Sequence, residues 1–345
     1  MIFKKFVGLA LSLLLSSSVA TAQNAPSKEL IPINIGGPSA GYFITYVAAD
    51  LGLYQKHGLD PKIHWFTSGA PLLAALKSGS IDQIVTGFAF VFALGQNIPL
   101  KIISWELDNA QGAGLMVTEA SGISSYKDIA KAKKIAATAG TCSQVSLKLM
   151  AKMANVNYDK LNVVNIAPPL FANAFTGGAI DAAVGWAPWT MNLPVGVKVV
   201  SWDSDYGGVC PSINGLRPDF IAKYPSVPEK LLAVQAEARD MITKNPQLAI
   251  DALQRQLQIS PAVAKDFYEK HCCGRLPSFE QQLDPNSQWS LVNPNGGLAS
   301  QALIASQMLY ELGTIPAPLK PETVAAAIDP APIRKFLSSR QASGQ

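Results

Sequence analysis

No long block of lysine and arginine occurs in this chain of 345 residues: the formal charge is only +4, and removing Lys4 and Lys5 with the segment that carries them leaves +2. Without a basic block there is no electrostatic reason to expect nucleic acid or an anionic membrane as a partner. Histidine is scarce, with three residues in all. None of His57, His64 and His271 stands in the context of a catalytic triad, and no Gly-x-Ser-x-Gly elbow is present to supply a nucleophile. Hydrolase chemistry therefore has little to work with. The four cysteines begin only at Cys142, so none lies near the start to carry a lipid anchor, and none forms a Cys-x-x-Cys pair. Cys272 and Cys273, beside His271, lack the spacing of zinc ligands, and no metal or cofactor is expected. Beyond Ala22, no uninterrupted apolar run approaches the roughly 20 residues of a membrane-spanning helix.

What is present at the N-terminus reads as a leader: Lys4 and Lys5, an apolar stretch from Phe6 to Leu15, then Ala20-Thr21-Ala22 before Gln23. This is the pattern of a secretory signal peptide over residues 1–22, cleaved after Ala22. A free periplasmic protein is the expected product. In that oxidising compartment Cys142, Cys210, Cys272 and Cys273 permit up to two disulfides, whose pairing the sequence leaves open.

The remaining length suggests two domains. Short apolar runs alternate with helical ones: Leu30 to Ile35, Tyr42 to Tyr54, Lys62 to Phe66, Pro71 to Lys77 and Ile84 to Thr86. A second series follows with Lys134 to Ala137, Gln144 to Ala154, Asn162 to Asn165, Leu170 to Thr176 and Ala182 to Trp186. This alternation predicts βαβ units and mainly parallel sheets flanked by helices, an α/β class. From Pro218 onward the pattern turns helical, with Pro228, Pro246 and Pro261 at positions that open helices.

One internal echo organises the reading. Gly79-Ser80-Ile81-Asp82-Gln83-Ile84-Val85 resembles Gly178-Ala179-Ile180-Asp181-Ala182-Ala183-Val184. Each copy predicts a helix end, a left-handed glycine and a buried strand. Asp82 and Asp181 are expected to bond backbone at those turns rather than to act as catalytic acids. The strands run out into Phe88-Ala89-Phe90 and Trp186-Ala187-Pro188-Trp189, and ligands in open α/β sheets bind at the carboxyl ends of strands.

An ordered set of motifs carries a more specific likeness: Ala49-Asp50-Leu51-Gly52-Leu53-Tyr54, Ser68-Gly69-Ala70, Ala75-Leu76-Lys77-Ser78-Gly79, Gly95-Gln96-Asn97-Ile98-Pro99, Ala167-Pro168-Pro169, Trp186-Ala187-Pro188 and Arg217-Pro218-Asp219-Phe220. From about Leu30 to Pro316 the chain resembles the substrate-binding proteins of taurine, sulfonate and nitrate ABC importers, with the two-lobed type II periplasmic-binding-protein fold. The resemblance implies one lobe from residues 30–119 plus 212–345, a second from 120–211, and a ligand cleft between them. It also implies a monomer that delivers a small molecule, an organic anion, to a membrane permease and its ATPase, without catalysis.

The candidate binding residues follow from chemistry and from that likeness together. Ser68, Gly69 and Ala70 open one helix, and Thr141, Cys142 and Ser143 open another; helix N-termini present free amides and positive potential to an anion. Tyr42, Phe88, Ala89, Phe90, Trp186 and Trp189 are candidates for the cleft wall. Ser212 and Asn214 lie on the expected return strand. Taurine receptors carry an acid where Ser212 aligns, and a buried ammonium without a counter-ion is costly. Glu106 and Asp108 lie near enough in sequence to substitute, but a ligand without an amine is the more economical expectation. A bridge between Cys142 and Cys210 would restrict opening of the cleft.

Three rivals share parts of this pattern. A receptor for a pyrimidine-like thiamine precursor would use Trp186 and Phe88 for stacking. A pyrimidine-precursor synthase of the same fold would need a cysteine-rich loop, which Cys272-Cys273 matches only faintly. A sensor would hand the ligand to a membrane receptor instead of a permease.

Overall fold

A computed structural model describes Met1 and residues 29–67, 69–271 and 276–343. The leader, Ser68 and the Cys272-Cys273 pair lie outside the described residues. Among the described residues ten strands form two sheets. The first contains β1 (Ile31–Pro38), β2 (Leu59–Phe66), β3 (Gln83–Thr86), β4 (Lys101–Asp108) and β10 (Pro211–Leu216), in the order β2-β1-β3-β10-β4. The second contains β5 (Gly114–Thr118), β6 (Ile135–Ala137), β7 (Val163–Val164), β8 (Ala182–Gly185) and β9 (Val197–Trp202), in the order β7-β6-β8-β5-β9.

The two orders are one pattern used twice. In each sheet the first three strands pair in parallel, and the fourth position is taken by a strand running against all the others: β10 between β3 and β4, β5 between β8 and β9. Each reversed strand is the first one after the chain has crossed from the other sheet. The expected mainly parallel sheets are thus mixed, with four of five strands aligned in each.

The helices that matter for the site follow the strands: α1 (Phe43–Asp50), α2 (Leu53–Lys56), α3 (Gly69–Ser78), α4 (Ala89–Gly95), α5 (Cys142–Met153) and α6 (Phe171–Thr176). The single helix expected from Tyr42 to Tyr54 is two, because Gly52 takes φ +65° between α1 and α2. That left-handed conformation is open to glycine at little steric cost. The last third is helical as expected, with Val227–Lys244 the longest element. Its Gln235 accepts from Ser104 Oγ at 2.9 Å and donates to the Trp105 carbonyl at 2.5 Å, fixing the helix to β4.

The echo behaves as its chemistry requires. Asp82 Oδ2 accepts from the Asn34 amide at 2.9 Å and from Asn34 Nδ2 at 3.0 Å. Asp181 accepts from the amides of Lys133 and Lys134 at 2.9 and 2.8 Å. Both carboxylates fasten the start of a strand to its parallel neighbour, and Gly79 and Gly178 carry the expected positive φ.

Two apolar clusters cover opposite faces of the second sheet, around Leu115 and Leu147 on one side and Phe171 and Ala183 on the other. A much larger core fills the first half and reaches across to include Cys142, Val145, Trp186, Ala187 and Trp189. The two halves are therefore packed against each other, not held apart.

Candidate functional site

Where the carboxyl ends of the two sheets face each other there is a small cavity. Its wall is collected from loops at strand ends. Pro38 ends β1, with Ala40 and Tyr42 after it; Thr86 ends β3, with Gly87, Phe88 and Ala89 after it; Asn109 follows β4. From the other side come Thr141 and Cys142 after β6 and Trp186 after β8, while Cys210 and Ser212 mark the chain's return into β10. Parallel strands place all their carboxyl ends on one edge, so residues remote in sequence converge there.

Three aromatic rings line the cavity. Tyr42 stacks on Trp65 with ring centroids 6.0 Å apart and an interplanar angle of 15°, and burial pushes its hydroxyl well above the ordinary tyrosine range. Phe88 is wholly buried, and Trp186 is 5% exposed. The indole nitrogens of Trp186 and Trp189 both donate to the Ser39 carbonyl, at 3.4 and 3.2 Å. These two bonds run from the loop after β8 to the loop after β1, straight across the interface of the halves.

Small residues allow the halves to approach. A Cβ added at Gly87 would lie 2.7 Å from Cys142 Sγ, and one added at Gly69 would lie 2.8 Å from the Gly140 carbonyl oxygen. Cys142 and Cys210 are free thiols, both buried. They lie within hydrogen-bonding reach of each other, and burial pushes the Cys210 thiol well above its ordinary range.

The polar content of the wall is neutral. Among the described residues none of Lys, Arg, His, Asp or Glu lines the cavity. The nearby carboxyl groups are engaged elsewhere. Glu106 accepts from the Thr45 amide and hydroxyl at 3.1 and 2.9 Å and from Asn214 Nδ2 at 3.1 Å. Burial raises its pKa against those bonds. Asp108 accepts from the Ala110 amide and Trp289 Nε1, both at 3.0 Å. Asp203 accepts from Ser146 and from the Tyr206 hydroxyl. Neither Glu106 nor Asp108 lines the cavity.

Of the residues singled out by sequence, the structure gathers Tyr42, Phe88, Ala89, Thr141, Cys142, Trp186 and Ser212 into one wall. It places the others differently. Phe90 is wholly buried within α4, Gly69 is buried against Gly140, and Ala70 is exposed. Ser143 Oγ accepts from the Thr138 amide at 2.9 Å and donates to the Val184 carbonyl, so it ties α5 to two strands. Asn214 lies in a separate inner space, where its Oδ1 accepts from Gln83 Nε2 at 3.0 Å. Trp189 acts beside the cavity through its bond to Ser39. Six wall residues were not among the candidates: Pro38, Ala40, Thr86, Gly87, Asn109 and Cys210. Thr86 and Asn109 each close or follow a strand, which is the one signal that could have found them.

The chain belongs to the NMT1/THI5-like family, which it matches over residues 40–249. A Brucella abortus protein bearing the general name of binding protein is 28% identical, over 92% of this chain and 96% of its own length. The taurine-binding periplasmic protein of Escherichia coli is 26% identical, over 78% of this chain and 83% of its own. Among solved structures, the alkanesulfonate-binding protein of Xanthomonas axonopodis bound to MOPS superposes with a TM-score of 0.71 at 18% identity. That alignment covers 87% of this chain and 99% of the other. The periplasmic-binding-protein fold is thereby established.

Proposed function

We propose that this protein is the periplasmic solute receptor of an ABC importer, capturing a small organic anion of the sulfonate type and delivering it unchanged to a permease and its ATPase. The observation that carries this reading is the cavity between the two sheets, walled by Tyr42, Phe88 and Trp186 and opening on the first turn of α5. Aromatic surface with a few placed polar groups is the usual composition of a small-molecule site. Thr141 Oγ1 caps the Ser143 amide of α5 at 3.2 Å, and the first turn as a whole carries the partial positive charge of a helix N-terminus, which attracts an anion without a cationic side chain. The names of the relatives agree with this chemistry.

In this reading residues 30–119 with 212–345 move as one lobe and 120–211 as the other. They hinge where the chain crosses, near 117–120 and 207–213, by the common closure geometry of two-lobed receptors. The signal peptide and cleavage after Ala22 complete the proposal for location.

The test uses the mature chain from Gln23, unfolded and refolded to remove bound solute, with its melting temperature followed against sulfonates, nitrate, phosphonates, carboxylates and pyrimidines. A ligand at 100 times its dissociation constant stabilises the native state by about 2.7 kcal/mol. A saturable shift with one organic anion, reduced in Trp186→Ala, is the expected result. A shift only with pyrimidines overturns the choice of ligand, and turnover of any compound overturns the receptor role.

A further inference from the structure

Two polar atoms in the cavity wall are buried and have no partner: the Thr86 hydroxyl and Asn109 Oδ1, on residues 1% and 5% exposed. An unsatisfied buried polar group costs about 1–3 kcal/mol, so a ligand that pairs with both gains that much over one that does not. The main chain that carries Asn109 is anchored on both sides. Its amide donates to the Cys210 carbonyl at 3.0 Å, and its own carbonyl accepts from Gly112 and Ala113 at 2.8 Å each, so the backbone beneath it is fixed. Thr86 is held just as firmly, in register with Ile213 of β10.

The two atoms make different demands. A hydroxyl donates or accepts, so Thr86 is satisfied by a sulfonate or carboxylate oxygen. A carbonyl-type oxygen such as Asn109 Oδ1 only accepts, and an anionic head group offers it nothing. A ligand that fills this wall therefore presents a donor as well as an anion. An ammonium would be a donor, but among the described residues no carboxylate lines the wall to pair with it directly. Burying a cation there without a counter-ion is costly.

We infer that the site selects anions carrying a neutral hydrogen-bond donor, in the class of hydroxyalkanesulfonates and hydroxycarboxylates, with Asn109 as the residue that reads the donor. The inference rests on the receptor reading above and narrows it. It separates this chain from a receptor for a zwitterion, and it gives Asn109 a specificity role distinct from the anion attraction at α5.

Three probes of equal length isolate the point: ethanesulfonate, 2-hydroxyethanesulfonate and 2-aminoethanesulfonate, titrated calorimetrically into the stripped mature protein. The hydroxy compound is expected to bind at least about tenfold tighter than the unsubstituted one, the equivalent of one satisfied buried group. The amino compound is expected to bind more weakly than either. Asn109→Leu should erase the preference for the hydroxyl, so that ethanesulfonate and 2-hydroxyethanesulfonate bind alike. Asn109→Asp, which places a carboxylate at the same point, should move the preference to the amino compound, and it serves as a second variant should the leucine variant fold poorly. Equal or tighter binding of the amino compound by the unmodified protein overturns the inference and leaves the receptor reading standing. The same holds for a hydroxyl preference that survives Asn109→Leu. Absence of binding by all three, and by the corresponding carboxylates, overturns the organic-anion reading itself.

Discussion

Gly69 and Gly140 meet backbone to backbone across the interface of the two halves: a Cβ on Gly69 would lie 2.8 Å from the Gly140 carbonyl oxygen and 3.2 Å from Ala89 Cβ. Backbone cannot swing aside as the end of a long side chain does, so the contact limits how closely α3 approaches the loop before α5. Gly140 also carries φ +74°, which only a glycine adopts freely.

Gly69→Ala should therefore hold the halves apart. The expected result is a loss of ligand affinity of about tenfold or more, about 1.4 kcal/mol, with little change in the melting temperature of the ligand-free protein. Titration calorimetry of the variant beside the unmodified chain gives the comparison. Unchanged affinity would show that the closed form does not need this contact.

Trp189→Phe keeps a ring in place and removes one of the two indole N–H donors to Ser39. A net hydrogen bond of this kind is worth about 0.5–1.5 kcal/mol. Because Trp189 does not line the cavity, the loss should appear as a shift toward the open form. Apparent affinity should fall several-fold, and small-angle scattering should show a larger radius of gyration at subsaturating ligand. A variant indistinguishable from the parent in both measurements would remove the latch role.

Asp203 is wholly buried, and that burial raises its carboxyl from 3.8 to about 7 despite hydrogen bonds from Tyr206 and Ser146. The folded state thus holds this proton more tightly than the unfolded chain. The stability it contributes is complete below the unfolded value near 3.8 and is lost as pH rises through about 7. Asp203→Asn cannot ionise, so the melting temperature of the unmodified protein relative to the variant should decline between pH 4 and pH 8. Parallel pH curves for the two proteins would contradict this assignment.

The free thiols of Cys142 and Cys210 lie in the cavity wall. Alkylation by iodoacetamide, located by peptide mass spectrometry, should be slow and should slow further with ligand, by up to about 100-fold at 100 times the dissociation constant. Ligand-independent labelling at either cysteine would place it outside the closed site.

Much of the architecture was legible because it rests on local rules. The repeated glycine and aspartate, Gly79 with Asp82 and Gly178 with Asp181, marked two equivalent strands, and the hydrogen bonds of both carboxylates explain why the pattern recurs. The wall was read less well where polar residues interrupt a strand. β4 runs on to Asp108 through polar residues, because Ser104 and Glu106 are buried on partners from other elements: Gln235, Thr45 and Asn214. That extension hid Asn109. Phe90 was a candidate for the cleft wall because it lies just past the end of a strand, whereas α4 begins at Ala89 and Phe90 is wholly buried within it. No local rule indicates that two strands from distant parts of the chain will change sheets.

That exchange sets an order of assembly. The second sheet draws its five strands from one continuous stretch between Gly114 and Trp202. The first sheet lacks the strand that joins β3 to β4 until Leu216 has arrived. A chain that emerges from its N-terminus thus delivers β1 to β4 early and leaves the facing edges of β3 and β4 unpaired until β10 arrives, and unpaired edges invite association with other chains. The half made second completes itself first. Its last loop then carries in the strand that closes the half made earlier, so the ligand cavity is among the final features of the molecule to form.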